Sequence, residues 1–364
     1  QQSAREVLLS AEASRVLQLG APAGYPALRR WLLERAEAEG SRHANDEVLV
    51  TNGCQQGLDL IQRTLAPAGT TAVIEDPVYH GVRNVFARVG VKLAGLPVGS
   101  GGVDPEHLAR VCETERPAVV VVTPDFQNPC GATMPLEARE AVVQLARKFG
   151  FVLVENSIYR ETRYIGTALP SLKQLDRDGG TVVSLGSFSK IAFPGLRVGW
   201  VLGPGALIAR LTEARQWCDL HTDHLSQAIL LRFADSGRLS RHVESVRENG
   251  RVRLQRVIGS LERHMPSDAA WTRPEGGFNL WLRLPGGLDA ADLLPWAEQA
   301  GVSYLPGIYF RVGPGDRHAL RLSFGALSPE SIERGVITLA RVCRERLSGR
   351  PGDRDVFDAA AAVV

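Results

Sequence analysis

The 364-residue sequence lacks several features that would assign it directly to a class of protein. Its five cysteines are widely spaced and include no C-x-x-C pair, which argues against a disulfide framework and a zinc site and fits a reducing compartment. No uninterrupted apolar run approaches the roughly 18 residues that a membrane helix needs. No signal-peptide pattern is visible at the N-terminus, so we expect a soluble cytoplasmic protein without a membrane partner.

The sequence also lacks an excess of charge of one sign. Its 42 basic and 40 acidic residues leave a formal net charge of +2, so no nucleic-acid partner is expected. Lysine is scarce, because nearly all the basic residues are arginine and the lysines are only Lys92, Lys148, Lys173 and Lys190. Arginine does not lose its proton in proteins, whereas lysine can do so and form an imine. A lysine that follows a predicted strand in this sequence is therefore a candidate for imine chemistry.

Predicted strands and helices alternate through the first two thirds of the chain. The uninterrupted apolar run at 118–122 is typical of a strand buried on both faces, and 151–154 and 182–185 are further predicted buried strands. Amphipathic helix patterns lie between such runs, for example at 24–39 and 136–149. This alternation predicts an α/β fold with a mainly parallel sheet sandwiched by helices.

The pattern changes at about residue 240. A long charged helix at 241–261 is followed by strands near 277–284 and 320–324 and by a helix at 328–346, which predicts a smaller α+β domain. The predicted division is an N-terminal segment belonging with the small domain (1–30), a large domain (31–240), a small C-terminal domain (241–348) and a tail (349–364).

Polar residues concentrate where the predicted buried strands end. In an open α/β sheet, ligands bind outside the carboxyl ends of the strands, so these segments predict one shared pocket. They are residues 52–53, 75–76, 123–131, 155–156 and 186–190.

The segment at 184–200 carries the most chemistry. Lys190 follows a predicted strand and two serines, Ser187 and Ser189, and Arg197 comes seven residues later. The serine hydroxyls and the arginine could hold a phosphate, Arg197 by a bidentate contact. The segment resembles the S-x-S-K-x-x-x-P-G-x-R-x-G motif of the class I/II, fold-type I aminotransferases, which bind pyridoxal 5′-phosphate.

The resemblance extends from about residue 20 to residue 346. It is closest to the group that contains 2-aminoadipate-type aminotransferases and the aminotransferase-like domains of MocR-type regulators. Each further matching motif is weak alone, but together and in order they are strong. They lie at 24–29, 51–56, 75–79, 123–131, 274–281, 306–310 and 320–324.

The resemblance implies the site for the cofactor. Lys190 would be the Schiff-base lysine and would move the proton between the substrate α-carbon and C4′ of the cofactor. The remaining cofactor residues would surround the phosphate and the ring. The phosphate would lie at a helix start. Its ligands would be Gly53, the backbone amides of Cys54 and Gln55, and the side chains of Ser187, Ser189 and Arg197. Tyr79 would stack on the cofactor ring, and Asn128 and Tyr159 would hydrogen-bond the phenolic oxygen of that ring.

The resemblance also implies the substrates and the assembly. Arg321 would bind the substrate α-carboxylate in a bidentate pair, with Asn128 and Gly24 on the same side. The expected reaction moves an amino group between an L-amino acid and a 2-oxo acid. A homodimer with its sites at the interface is expected.

Three positions depart from the family pattern. Asn156 stands where the family has an aspartate that keeps the pyridine nitrogen protonated, and a neutral amide cannot stabilise a pyridinium by charge. An alternative is that Glu155 serves the nitrogen, although its side chain should face the opposite side of the strand.

Leu19 stands where a tyrosine often reaches the partner's phosphate, and Asn279 adds a polar group near the substrate. The usual N-terminal arm is short or absent.

Two histidines, His221 and His224, have the spacing of metal ligands, but no third ligand is evident and no metal is expected. They could instead contact the substrate in the partner subunit. Two alternatives to an aminotransferase stay open because Asn156 would weaken the electron sink. One is the cofactor-binding sensor domain of a MocR-type regulator, and the other is a different reaction, namely elimination, decarboxylation, cyclisation or oxidation.

Overall fold

The computed structural model describes residues 1–87, 90–349 and 362–363. Eight strands form the central sheet in the order β1-β8-β7-β6-β5-β2-β3-β4. Strands β2, β3, β5, β6 and β7 are mutually parallel, whereas β8 is antiparallel to both β1 and β7, and β4 is antiparallel to β3. The strands are β1 (Asp46–Asn52), β2 (Thr71–Asp76), β3 (Lys92–Gly99), β4 (Gly102–Val103), β5 (Val119–Val122), β6 (Val152–Asn156), β7 (Val182–Ser187) and β8 (Val198–Pro204).

The middle of this sheet is apolar on both faces. In β5, Val119 and Val121 belong to one buried cluster, while Val120 and Val122 belong to another on the opposite face. Side chains of a strand alternate between faces, so a strand covered on both sides must be apolar throughout. The predicted mainly parallel α/β fold is confirmed.

Helices cover the sheet and begin or end at sequence signals. Helix α6 starts at Asp104, whose carboxylate accepts the amide of Glu106, and α7 ends at Gly150 in the left-handed conformation. The helices of this part are α1 (Gln2–Leu8), α2 (Ala13–Val16), α3 (Pro26–Ala38), α4 (Gly53–Leu65), α5 (His80–Ala87), α6 (Pro105–Glu115), α7 (Leu136–Phe149), α8 (Leu172–Leu175), α9 (Gly205–Asp219) and α10 (His224–Asp235).

The C-terminal third builds a second, antiparallel sheet in the order β12-β13-β10-β9. Its apolar face packs with three helices in a separate cluster that includes Leu280, Leu322 and Leu339. The elements are α11 (Arg238–His264), β9 (Ala270–Trp271), β10 (Asn279–Arg283), α12 (Ala290–Gln299), β11 (Val302–Ser303), β12 (Leu305–Pro306), β13 (Ala319–Ser323) and α13 (Pro329–Leu347); β11 pairs in parallel with β14 (Ala362–Val363).

Helix α11 runs without a break across residue 240. Its first turns contribute Leu239 and Val243 to the apolar cluster that contains residues of α10 and of the large sheet, and its later turns contribute to the cluster of the small sheet. Val7 and Val16 belong to the first of these clusters, and α1 and α2 contact α10. The assignment of residues 1–30 to the small domain remains a prediction.

The other domain boundaries remain predictions. Of the tail predicted at 349–364, only Gly349 and β14 lie within the described residues. No helix in the part of the chain that the structure describes is long and apolar enough to cross a membrane. The cytoplasmic location remains a prediction from the sequence.

Candidate active site

A cavity of about 730 Å³ lies at the carboxyl ends of the parallel strands, between the central sheet and the small sheet. Most of the site residues predicted from the sequence line it, although they come from six separate segments. Those that line it are Cys54, Gln55, Tyr79, Asn128, Asn156, Tyr159, Ser189, Lys190, Arg197 and Arg321.

Lys190 enters the cavity from a single turn of 3-10 helix, Phe188–Lys190, that follows β7. The Ser187 hydroxyl accepts the amide of Ser189 at 3.1 Å and so starts that turn. The Lys190 ammonium lies 5.6 Å from the centre of the Tyr159 ring, and burial lowers the pKa of Lys190. Among the described residues that line the cavity, none is Asp or Glu. The amine is therefore free of a carboxylate partner, and its depressed pKa favours the neutral, nucleophilic form.

The start of α4 forms the end of the cavity next to Arg197. Gly53 has a φ of +71°, and a Cβ placed on it would lie 2.6 Å from Nη2 of Arg197. A Cβ on Gly199 of β8 would lie 2.7 Å from the backbone nitrogen of Cys54. Both glycines therefore permit a close approach that a side chain would block. The result is a helix N-terminus with an adjacent guanidinium, an arrangement suited to a phosphate.

A hydrogen-bonded chain joins Arg321, Asn128 and Tyr159. Arg321 Nη1 donates to Asn128 Oδ1 at 3.1 Å, and Asn128 Nδ2 donates to Tyr159 Oη at 3.1 Å. Because Arg321 has no acceptor, the amide orientation of Asn128 is determined by this contact. Burial raises the pKa of Tyr159 to about 12, so the phenol keeps its proton and can donate it to an acceptor in the cavity.

Asn156 ends β6 on the cavity side of the sheet. Its Nδ2 donates to Thr123 Oγ1 at 3.3 Å, while its buried Oδ1 has no hydrogen-bond partner in the structure. Buried polar groups are nearly always paired, so an unpaired acceptor in a cavity indicates the place of a ligand donor. The ring nitrogen of a protonated pyridine is such a donor.

Glu155 does not serve the cavity. Its carboxylate faces the other side of β6, where it accepts the amides of Leu172 at 3.0 Å and Lys173 at 3.1 Å, and burial raises its pKa. The alternative in which Glu155 replaces the missing aspartate is wrong, because successive strand residues point to opposite faces.

Two predicted residues, Ser187 and Gly24, are placed differently from the expectation. Ser187 lines a separate cavity of about 280 Å³ beside Trp200, because its hydroxyl is engaged with the backbone of the turn. Gly24 packs against β1, where a Cβ would lie 2.6 Å from that of Val50, and it does not line the main cavity. Gly53 lies at the start of α4 beside Arg197, where the resemblance placed it, and its role toward a phosphate remains a prediction.

The histidine pair lies outside the main cavity. The His221 and His224 rings are 5.1 Å apart, and burial lowers the pKa of His224. The described residues contain no group of three or more His, Cys, Asp or Glu placed to hold a metal ion. A contact of these histidines with a partner's substrate remains a prediction.

Several cavity residues were not singled out from the sequence. Thr123 and His80 stand inside or next to matching motifs, so their position was a usable signal. Phe278 and Ser323 also stand inside matching motifs, at 274–281 and 320–324. Ser323 of β13 faces Asn279 of β10, which is there as expected, and Asn279 Oδ1 accepts the Ser323 hydroxyl at 2.8 Å.

Comparison with known proteins places this site in a family. The family model for aminotransferase class I and II matches residues 2–339. The chain is 36% identical over 334 residues to a 2-aminoadipate transaminase of Thermus thermophilus, covering 91% of this chain and 83% of the relative. The solved structure of LysN, an α-aminoadipate aminotransferase of Thermus thermophilus complexed with N-(5′-phosphopyridoxyl)-L-leucine, superposes with a TM-score of 0.89 at 34% identity, covering 95% of this chain and 89% of that one.

A regulator is also among the relatives. An uncharacterized HTH-type transcriptional regulator of Bacillus subtilis, YdfD, is 31% identical over 328 residues, which are 90% of this chain but 67% of the regulator. The chain belongs to the class I and II aminotransferases. It is a fold-type I aminotransferase that uses pyridoxal 5′-phosphate, as the resemblance implied.

The residues present fit that cofactor. Lys190 has no acidic partner in the cavity, α4 and Arg197 offer an anion site, and Asn156 Oδ1 is an unpaired acceptor. The cofactor has an aldehyde that could react with Lys190, a phosphate that fits the anion site, and a ring nitrogen that could donate to Asn156.

Proposed function

We propose that the protein transfers an amino group between an L-amino acid and a 2-oxo acid, with Lys190 as the catalytic base. One observation supports this most strongly: the Lys190 amine lies in a cavity with two guanidiniums, Arg197 and Arg321, and the described lining contains no carboxylate. Two anionic groups, a phosphate and a substrate carboxylate, would complete the charge balance.

The bound cofactor supplies an electron-withdrawing ring that stabilises negative charge at the substrate α-carbon. The protein's part is to hold and orient it. The amides at the start of α4, Ser189 and Arg197 bind the phosphate, and Tyr79 lies against the ring. Asn128 and Tyr159 would donate to the phenolic oxygen, and Asn156 would face the ring nitrogen.

Lys190 and Arg321 act on the substrate. Arg321 has one hydrogen bond, to Asn128, and its buried Nε has no partner in the structure, so its guanidinium has donors left for a bidentate carboxylate contact. With the carboxylate held there, Lys190 takes the proton from the α-carbon and returns it at the carbon that receives the amino group. The depressed pKa of Lys190 suits it to this base role.

The test is a spectroscopic titration of the purified protein with pyridoxal phosphate. The visible band of cofactor bound covalently to lysine should form in the wild type, be lost on adding an amino acid and return on adding a 2-oxo acid. Lys190→Ala should not form the covalent band. The exposed Lys148 provides a matched control, because Lys148→Ala should behave as the wild type. If no band forms in the wild type, the proposal fails.

A second candidate rests on Asn156. A neutral amide stabilises a pyridinium less than a carboxylate does, which favours a ligand sensor or another reaction of the same cofactor. Product analysis separates these from transamination. A sensor would shift the band without consuming the amino acid, elimination would release ammonia, decarboxylation would release carbon dioxide, and oxidation would release peroxide.

We also propose a homodimer. Trp217 is 86% exposed and Leu19 is 82% exposed. Gly20, beside Leu19, packs against the ring of His224, which follows Trp217 by seven residues. Large apolar side chains left exposed are typical of interfaces. Light scattering should give twice the chain mass of 39.5 kDa, and Trp217→Glu should shift the mass toward the monomer.

A further inference from the structure

The small sheet presents a polar face to the main cavity. Strands β10 and β13 are antiparallel, and Asn279 stands directly opposite Ser323. Side chains alternate along a strand, and Leu280 and Leu322 belong to the core on the other face of this sheet. Asn279, Arg321 and Ser323 therefore share the face toward the cavity, and all three line it. The amide and the hydroxyl thus lie beside the guanidinium that is proposed to hold the substrate carboxylate.

The Asn279 and Ser323 side chains form a hydrogen-bonded pair that the proposed mechanism does not use. Ser323 Oγ donates to Asn279 Oδ1 at 2.8 Å, and no described residue accepts a hydrogen bond from Asn279 Nδ2. Asn279 is only 7% exposed. Polar groups in a protein interior are nearly always paired, so this amide nitrogen indicates the place of an acceptor on a ligand.

The pair offers one donor and one acceptor side by side. Ser323 uses its proton for Asn279 Oδ1, so its oxygen can still accept, while the Nδ2 hydrogens of Asn279 can be donated. Reversing the amide only exchanges the roles, since Oδ1 then accepts from the ligand and the Ser323 hydroxyl is the donor. In either orientation the pair is complementary to a carboxamide, which carries one acceptor and one donor on the same carbon.

The cations of the cavity are already assigned to other groups. In the described lining, Lys190 is the proposed base, Arg197 lies at the phosphate end and Arg321 is the proposed carboxylate ligand. His80 also lines the cavity, but burial and the charges of Arg321 and Arg83 lower its pKa, which favours the neutral ring. The same lining contains no Asp or Glu. A charged substrate side chain would therefore lose its hydration without gaining a counter-charge.

We propose that Asn279 and Ser323 determine specificity by binding the side chain of the amino-acid substrate, and that this side chain is neutral and hydrogen-bonding, of the carboxamide class. The inference rests on the proposed function, since it needs Arg321 to hold the α-carboxylate. With that end fixed, a side-chain amide can accept from one member of the pair and donate to the other. Asn279 is a position at which the sequence departs from the family pattern, which makes the preference a property of this chain rather than of the fold.

The test compares amino acids of matched shape. The enzyme is loaded with pyridoxal phosphate, and the loss of its visible band on mixing with each amino acid is followed by stopped-flow spectroscopy. Asparagine, leucine and aspartate form one set, and glutamine, homoleucine and glutamate form a longer one. In at least one set, the second-order rate constant of the carboxamide should exceed that of the hydrocarbon at least about tenfold and that of the carboxylate about 100-fold.

Two variants assign the preference to the pair. Asn279→Leu should lower the rate constant for the preferred carboxamide about 10- to 100-fold, because the amide's hydrogen bonds are lost. The rate constant for the hydrocarbon of the same set should stay the same or rise, which also shows that the variant folds and binds the cofactor. Ser323→Ala should act in the same direction, and the double variant should lose less than the product of the two single losses. Asn249→Leu, at an exposed position of α11, is the matched control and should behave as the wild type.

Three results overturn the inference while the proposed function stands. They are a wild-type preference for the hydrocarbon or the carboxylate in both sets, an unchanged carboxamide rate in Asn279→Leu, and an equal loss for all substrates in that variant, which would place Asn279 at the α-carboxylate. The other standard amino acids are tested alongside. If some of them remove the band but neither carboxamide does, the inference alone fails; if none does, the proposed amino-group transfer fails, and this inference with it.

Discussion

Lys190 and Lys173 are both shielded from solvent, but in opposite electrostatic settings. Lys173 Nζ lies 3.0 Å from Asp46 Oδ2 and 3.3 Å from the Gly179 carbonyl, and the side chains of both Lys173 and Asp46 are about 1% exposed. Lys190 faces a cavity whose described lining holds no acid. Lys173 is therefore paired with a carboxylate of the protein, whereas Lys190 has no carboxylate partner in the described lining of the cavity.

The arginines show the same contrast. Arg139 donates to both oxygens of Asp125, the shorter contact being 2.7 Å, and to three backbone carbonyls. Arg321 donates to one neutral amide. A buried charge without a partner is costly, so it persists where a ligand supplies the partner. Among these lysines and arginines, the paired charges therefore mark structure and the unpaired ones mark the site.

The largest effect should come from the unpaired lysine. Lys190→Ala should reduce the transamination rate by about 10³-fold or more, because a positioned base and a covalent contact are both lost. Single-turnover kinetics measures this. The thermal midpoint of unfolding should not fall. If Lys190→Ala lost activity because it unfolds, the contrast between an unpaired functional lysine and a paired structural one would be contradicted.

The paired lysine should behave in the opposite way. Lys173→Met leaves Asp46 buried without its partner and should lower the free energy of unfolding by about 3–5 kcal/mol. Urea unfolding measures this. Cofactor binding by the folded fraction should be unchanged, so a selective loss of binding would contradict the structural role. Adding Asp46→Asn should recover part of the stability.

Glu75 extends the comparison to an acid without an ion pair. Its raised pKa means that the unfolded chain releases this proton first as the pH rises from about 4.5 to about 7. Stability from this group is therefore present below the unfolded pKa and is lost through that window, by up to about 3 kcal/mol. Urea unfolding of the cofactor-free protein should show this slope relative to Glu75→Gln. Glu140→Gln, at an exposed position, should leave it unchanged.

Arg321→Lys should weaken substrate binding while retaining the charge. Because lysine cannot form the bidentate pair, KM for the amino acid should rise about 10- to 100-fold. Steady-state kinetics measures this. The counterpart Arg139→Lys should lower the thermal midpoint and leave KM unchanged, and equal KM effects in both variants would remove the distinction.

The smallest effect concerns the phosphate end. Gly53→Ala would place a methyl group 2.6 Å from Arg197 Nη2, so the cofactor Kd should rise about tenfold, or about 1.4 kcal/mol. Gly69 also has a positive φ but nothing within 4 Å of a Cβ, so Gly69→Ala is the matched control for backbone strain. Equal Kd values for the two variants would contradict the Arg197 contact.

The motifs and the alternation of apolar runs were sufficient to predict the fold class, the family and the cofactor, all of which are confirmed. They also predicted which segments meet at the cavity, since parallel strands end at one edge. The roles of the individual site residues remain predictions. The placements of Ser187 and Gly24 were not predictable, because a motif does not say whether a hydroxyl bonds the backbone or whether a glycine serves packing.

By itself the sequence determined the chemistry available: one lysine in a motif, two arginines, and an amide at Asn156 instead of an acid. Only the tertiary structure decided which of these groups are paired. Lys173 meets Asp46 across 127 positions of the chain, and Asn156 at the end of β6 donates to Thr123, which follows the neighbouring strand β5. Pairing depends on distances between segments that lie far apart in the chain, which no local pattern encodes, whereas the alternation along a strand already indicated that Glu155 faces away from Asn156.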